Sequence, residues 1–190
     1  MTRSYDMTLR GRRAARTTEE IISATEELLA EGPVEGVTLD AIARAAGISV
    51  QTVLRHMGSR KGCFEAVGER LLERVEGQRG RSVPGDVRGA LADLLAHYES
   101  EGRLVLNLLA AERSDDLARS AVDSGRAYHR DWVLRCFGDR IDPDDRESVD
   151  AIVAATDLYV WKLLRLDLGR DVESVKGVMH RLVHSVLEVQ

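Results

Sequence analysis

Thr38-Leu39-Asp40-Ala41-Ile42-Ala43-Arg44-Ala45-Ala46-Gly47-Ile48-Ser49-Val50-Gln51-Thr52-Val53-Leu54-Arg55-His56-Met57-Gly58-Ser59-Arg60-Lys61 is the stretch on which the fold turns. Thr38 suits an N-cap, and Asp40 puts an acid in the first turn. Leu39, Ile42 and Ala43 share one face, so a short helix begins here. Gly47 stops it. Ser49 caps a second short helix that runs to about His56, before Gly58-Ser59 interrupts. Only Ala46-Gly47-Ile48 separates the two, so they form a helix-turn-helix corner. The glycine permits the turn and Ile48 plugs the angle.

Working outward, Thr17-Thr18-Glu19-Glu20 reads as a capping box with Thr17 as N-cap. Ile21, Ala24, Thr25, Leu28 and Leu29 then line one face of a first helix that Glu31-Gly32-Pro33 ends. After Ser59 a long fourth helix uses Leu71, Leu72 and Val75 until the glycines of 77–85 break it. A fifth follows Pro84 and stops near Gly102, and a sixth covers 104–113. Ser114 with Asp115 and Asp116 opens a seventh that reaches about Phe137. Asp142-Pro143-Asp144-Asp145 starts an eighth, with Asp142 as cap and Pro143 in the first turn, running to about Leu168. Gly169 ends it and Asp171 caps a ninth. The expected class is all-α, about nine helices in total, without internal repeats or strand-like alternation.

The chain has 190 residues, 44% of them hydrophobic and 31% charged, which gives it a core and excludes a disordered type. No stretch approaches the roughly 18 apolar residues of a membrane span. The arginine-rich start is not a secretory signal, so a soluble cytoplasmic protein without membrane attachment is expected. Cys63 and Cys136 are too few for a disulfide framework and read as buried thiols. The formal net charge of −5 argues at first against nucleic acid. Its distribution reverses that argument. Arg3, Arg10, Arg12, Arg13 and Arg16 face only Asp6 in 1–16, and Arg55, Arg60 and Lys61 face no acid in 47–61, ahead of an acidic body. A nucleic-acid footprint is a local field, so the overall sign does not exclude it. Enzyme signatures are missing: there is no Gly-rich phosphate loop, no G-x-S-x-G and no H-E-x-x-H. His180 and His184, spaced i,i+4, lack companion ligands and read as a surface or interface pair. No catalytic residue, metal or cofactor is expected.

The segment 21–67 resembles the DNA-binding domain of the tetracycline-repressor (TetR) family of bacterial regulators. Thr38-Leu39-Asp40-Ala41-Ile42-Ala43, Ala46-Gly47-Ile48-Ser49 and Thr52-Val53-Leu54-Arg55-His56-Met57-Gly58-Ser59-Arg60 carry the resemblance. Leu54 stands where the family usually has a phosphate-bonding Tyr, and Met57 where it usually has Phe. The resemblance implies a sequence-specific transcriptional regulator, a repressor released from a palindromic operator by a small-molecule effector. Its DNA-binding domain with a basic arm would occupy 1–67, and an effector-binding and dimerisation domain 68–190. Two copies would pair through the apolar faces of the last two helices, with Val149, Ile152, Leu163, Val175, Met179 and Leu182 among them.

On a helix starting at Ser49, Val53 and Met57 share the inward face with Ile48. Gln51 and Arg55 project oppositely, flanked by Val50 and Thr52. Recognition helices read bases from their first turns, where Gln pairs with adenine, Arg with guanine, and methyl groups meet thymine. Gln51 and Thr52 are therefore expected to read bases, and Arg55 to divide between base and phosphate. Thr38, His56, Arg60 and Lys61 are expected on phosphates, because cations in a helix's first turn suit a docked anion. Arg12, Arg13 and Arg16 form a flexible basic arm touching phosphate or minor groove, or else a solvated tail. His97, Tyr98, Asn107, Tyr128, His129, Trp132, Tyr159 and Trp161 are the polar or aromatic candidates for an effector pocket. Two other readings stand beside this one. In the first, a helical dimer whose DNA affinity Leu54 weakens acts through protein-protein interaction. In the second, a helical enzyme has acquired chemistry in the pocket.

Overall fold

A computed structural model describes the backbone of residues 2–188 and the side chains of residues 11–188. The chain runs α1 (Thr2–Glu31), a 3-10 turn (Val34–Gly36), α2 (Leu39–Ala45), α3 (Val50–Met57), α4 (Arg60–Arg79), α5 (Val87–Ala111), α6 (Asp116–Phe137), α7 (Arg146–Ala155), α8 (Leu158–Trp161) with a π-helical continuation (Lys162–Asp167), and α9 (Val172–Leu187). Among the described residues there is no strand, so the all-α expectation holds. Two compact units result. One is the chain up to Leu71 with Asn107–Ala121; the other is Leu72–Leu106 with the chain from Val122 onward.

The first unit buries Ile21, Leu29, Val34, Val37, Ile42, Val53 and Cys63. Thr25 is also buried without cost, because its hydroxyl donates to the Ile21 carbonyl at 2.8 Å. Thr38 and Ser49 cap α2 and α3 as the sequence predicts, each accepting the backbone N–H three residues on. Between them Gly47 takes φ +67°, and the Ile48 N–H donates to the Ala43 carbonyl at 2.9 Å, which closes the corner. The start of α1 departs from expectation. Thr17 is interior to a helix that already runs from Thr2, and Glu20 pairs with Arg16 at 2.9 Å instead of reaching back to a cap. Alanine and arginine are good helix formers, and no proline precedes Thr17 to force a start there. The expected flexible arm is thus helical from Thr2; the side chains of Arg3 and Arg10 lie outside the described residues.

In the second unit Leu91, Leu94, Leu95, Trp132, Phe137, Val149, Ile152, Val175 and Met179 are buried. Two expectations are corrected here. The helix predicted to run from Asp142 to about Leu168 starts later and breaks midway. Asp142 makes a turn, and Asp145 is the cap, accepting from Glu147 and Ser148. Thr156 then ends α7 and Asp157 caps α8, accepting the Tyr159 N–H at 2.7 Å. The following turn widens until the Leu168 N–H reaches the Leu163 carbonyl at 2.9 Å.

The second correction concerns Gly102, which was expected to end a helix and instead lies inside the unbroken α5. A Cβ there would meet the Trp161 ring at 2.6 Å, and Trp161 is held by its indole N–H donating to Glu99 at 2.7 Å. The glycine is a contact surface for α8, not a stop signal. Gly102→Ala is expected to lower stability by about 1–3 kcal/mol through overpacking, although alanine raises helix propensity by about 1 kcal/mol. Thermal denaturation decides between the two effects: a Tm equal to or above the wild-type value would refute the packing account.

Candidate nucleic-acid interface and buried arginine cluster

The short helix α3 is anchored by one residue and capped by another. Val53 is fully buried, and Ser49 Oγ accepts the Thr52 N–H at 3.2 Å while lying 3.0 Å from Thr52 Oγ1. Val50 and Thr52 are half-buried, and Gln51, Leu54 and Arg55 are exposed. Thr38 is exposed and its Oγ1 accepts the Ala41 N–H at 3.1 Å. His56 turns toward α1, with Nδ1 3.0 Å from Thr18 Oγ1. Arg12, Arg13 and Arg16 are exposed along α1.

The two cations at the start of α4 part company. Lys61 is exposed and pairs with Glu65 one turn along. Arg60 turns inward. It donates from Nε to the Val37 carbonyl at 2.7 Å and from its two terminal nitrogens to Asp115 at 2.8 Å and the Val34 carbonyl at 2.9 Å, with the guanidinium 4.4 Å from the Phe64 ring centre. Burial raises the Asp115 carboxyl, but the Ala118 N–H and the Arg60 guanidinium outweigh it and hold it below its ordinary value. Asp115 had drawn notice only as a helix opener, and it also caps α6 through the Leu117 and Ala118 N–H groups.

The effector candidates divide likewise. Asn107 belongs to the first unit, where its amide donates to the Leu29 and Ala30 carbonyls at the end of α1. Tyr159 is 55% exposed, and Leu163, Leu166, Leu168 and Leu182 are exposed as well. Trp161 packs on Gly102 as described. The other five, His97, Tyr98, Tyr128, His129 and Trp132, gather around a residue that sequence reasoning passed over, Arg79.

Arg79 is 3% exposed. One terminal nitrogen lies 2.7 Å from His129 Nδ1, and the guanidinium sits 4.4 Å from the Trp132 ring centre and 5.3 Å from that of Tyr128. His129 Nε2 meets Thr156 Oγ1 at 3.1 Å, and the Tyr98 hydroxyl donates to the Thr156 carbonyl at 2.9 Å. Burial, reinforced by the Arg79 charge, pushes both His97 and His129 down to about 3, so both rings are neutral at pH 7. No sequence signal separated Arg79 from the other arginines of this chain. Its position beside glycines at a helix end reads as surface.

The fold and the α3 corner define an all-helical protein with an amino-terminal helix-turn-helix. Residues 21–67 match the family described as bacterial regulatory proteins, tetR family. The HTH-type transcriptional regulator AlkX of Mycobacterium tuberculosis (strain ATCC 25618 / H37Rv) is 30% identical over 105 residues, which cover 52% of this chain and 50% of that protein. The match therefore spans about half the length of that curated relative. A crystal structure of a transcriptional regulator from Rhodococcus sp. Rha1 aligns with a TM-score of 0.73 at 14% identity, over 90% of this chain and 96% of that one. The multidrug binding protein EbrR, solved in complex with imidazole, aligns at 0.58 and 18% identity, over 86% and 88%. At those identities the likeness is one of fold.

The neutral histidines carry a pH dependence. With folded values near 3 against an unfolded value near 6.5, the unfolded chain binds more protons in between. Their contribution is whole above the unfolded value and is lost as pH falls through that window, by up to about 1.4 kcal/mol per pH unit for each ring. His97→Gln is expected to shallow the fall in Tm between about pH 6.5 and 4.5, above the range where depressed carboxylates titrate. An unchanged slope in that variant would contradict a neutral, buried His97.

Proposed function

We propose that the chain is a DNA-binding transcriptional regulator that works as a homodimeric repressor, leaving a palindromic operator when a small-molecule effector binds. The observation that carries this reading is α3: a capped helix fastened by buried Val53, with Gln51 and Arg55 outward and no acid on it. Such a helix fits a major groove. Gln51 and Thr52 read bases with Ser49 and Val50 at the groove edge, and Arg55 serves base and phosphate. Thr38, His56 and Lys61 hold phosphates, with Arg12, Arg13 and Arg16 extending the basic surface along α1. Arg60, engaged internally, fixes the corner from which they act. On this reading 1–67 is the DNA-binding part and 68–190 the effector-binding and dimerisation part.

Tyr159, Leu163, Leu166 and Leu168, all exposed within ten residues of one another, and exposed Leu182 on α9 support the dimer, since large apolar side chains left to solvent on neighbouring segments suit an interface. On a palindromic operator such a dimer would present two recognition helices one DNA turn apart, roughly 34–36 Å. The double change Leu163→Asp and Leu182→Asp is expected to give a monomer in analytical ultracentrifugation. A dimer that persists in that variant removes this face from consideration.

Leu54 favours a second reading, a helical dimer acting through protein contacts, because its 39% exposure puts an apolar side chain on the outward face of α3. Salt-titrated fluorescence anisotropy with palindromic duplexes separates the two. For a DNA regulator, affinity falls steeply with salt. Gln51→Ala then relaxes preference at one base pair by about 1–3 kcal/mol, whereas Lys61→Ala weakens all duplexes alike and reduces the salt slope by about one. Absence of salt-sensitive duplex binding would leave the second reading standing.

A further inference from the structure

Arg79 is a buried cation without an anion. The charged or ionisable groups that reach it are the phenols of Tyr98 and Tyr128, the Cys136 thiol and the Arg135 guanidinium; none is a carboxylate, and the last repels it. Its one hydrogen-bond partner through the terminal nitrogens is the neutral His129, and its Nε is buried without a partner. Three further buried polar atoms around this end of α4 are also unpartnered: Gln78 Oε1, His97 Nδ1 and the Tyr128 hydroxyl. Buried polar atoms are nearly always satisfied, and a buried charge is tolerated only when paired. The same chain shows the usual solution at Arg60, which has a carboxylate and two carbonyls.

We propose that Arg79 anchors a binding site for a small organic monoanion, a carboxylate carried on an aromatic or apolar body. This rests on the reading of the second unit as an effector-binding part, and gives that effector a chemical class. One unopposed positive charge calls for one negative charge. Both histidines are neutral and add none, so a dianion such as a phosphate monoester is not matched. The planar guanidinium fork suits the two oxygens of a carboxylate. The free Arg79 Nε–H and the Tyr128 hydroxyl supply donors, and the Tyr98, Tyr128 and Trp132 rings around the guanidinium make the surroundings aromatic, which suits an apolar body on the ligand. Arg79 and Trp132 are buried and the Tyr128 hydroxyl is covered in this conformation, so entry changes the packing around the last turn of α4, the helix that begins directly after α3. Binding that selects a different packing is the property a sensor needs.

The test uses the full-length chain with benzoate, phenylacetate and hexanoate as probes, and the corresponding primary amides as uncharged isosteres. Binding is read by thermal shift and tryptophan fluorescence, and duplex affinity by anisotropy in the same samples. At least one acid is expected to raise Tm by an amount that grows with the logarithm of its concentration above Kd, while its amide does not. Arg79→Met is expected to weaken that acid roughly 10- to 100-fold, the loss of a charge-assisted hydrogen bond. Tyr128→Phe, which keeps the ring, is expected to weaken it less and guards against a misfolded arginine variant. Amides that bind as tightly as acids overturn the anion assignment, and if they also release DNA they leave the effector reading intact. An acid that binds through Arg79 yet leaves duplex affinity unchanged supports the site and overturns the effector reading. No response to any of the acids, or equal binding by Arg79→Met and Tyr128→Phe, overturns the proposal.

Discussion

The guanidinium of Arg60 reaches the carbonyls of Val34 and Val37 and the carboxylate of Asp115, and so ties together three pieces of chain that are remote in sequence. Two of its acceptors belong to the 3-10 turn and its exit just ahead of α2, and the third caps α6. An ammonium in its place has neither the planar fork nor the reach to hold three acceptors at once. With that turn fixed, Thr38 begins α2 at a set point, Gly47 turns the chain, and α3 leaves the corner with Val53 inward and Gln51 outward. Presentation of α3 therefore depends on a cation that does not itself face outward.

Arg79 at the other end of the same helix shows what the absence of such partners means. Where Arg60 has three oxygen acceptors, Arg79 has a neutral imidazole and two aromatic rings. The flat guanidinium stacks on Trp132 favourably, but stacking does not neutralise a charge. The histidines respond by remaining neutral, and the buried network closes through Thr156 to the α7–α8 break. The two arginines mark opposite uses of one side chain: one stabilises an arrangement, and the other stays poised for a partner from solution.

Much of this was legible in the sequence because it is local. N-caps at Thr38, Ser49 and Asp171, the stop at Gly32-Pro33 and the turn at Gly47 depend on groups within four residues of one another, and each stands as predicted. Misreadings arose where a local signal was overruled or was answering something distant. Thr17 and Glu20 have the right types for a helix start, yet the chain before them is equally good helix. Gly102 resembles a stop, but it is small because Trp161 lies against it. Asp157, a serviceable cap, was lost inside an apolar run that looked continuous.

The candidate surfaces divide along the same line. The outward face of α3 follows from helical period alone, since burying Val53 leaves Gln51 and Arg55 no other side. Asn107, Tyr159 and Arg79 could not be sorted that way. One caps another helix, one is exposed on α8, and one is sealed in a core, although all three are ordinary residues on helices. Sequence by itself determined the helices, their caps and the identity of the reading helix, because those are set by hydrogen bonds within one turn. Tertiary structure alone decided which arginine is anchored and which is unpaired, because a buried charge is defined by neighbours that the chain brings from far along its length.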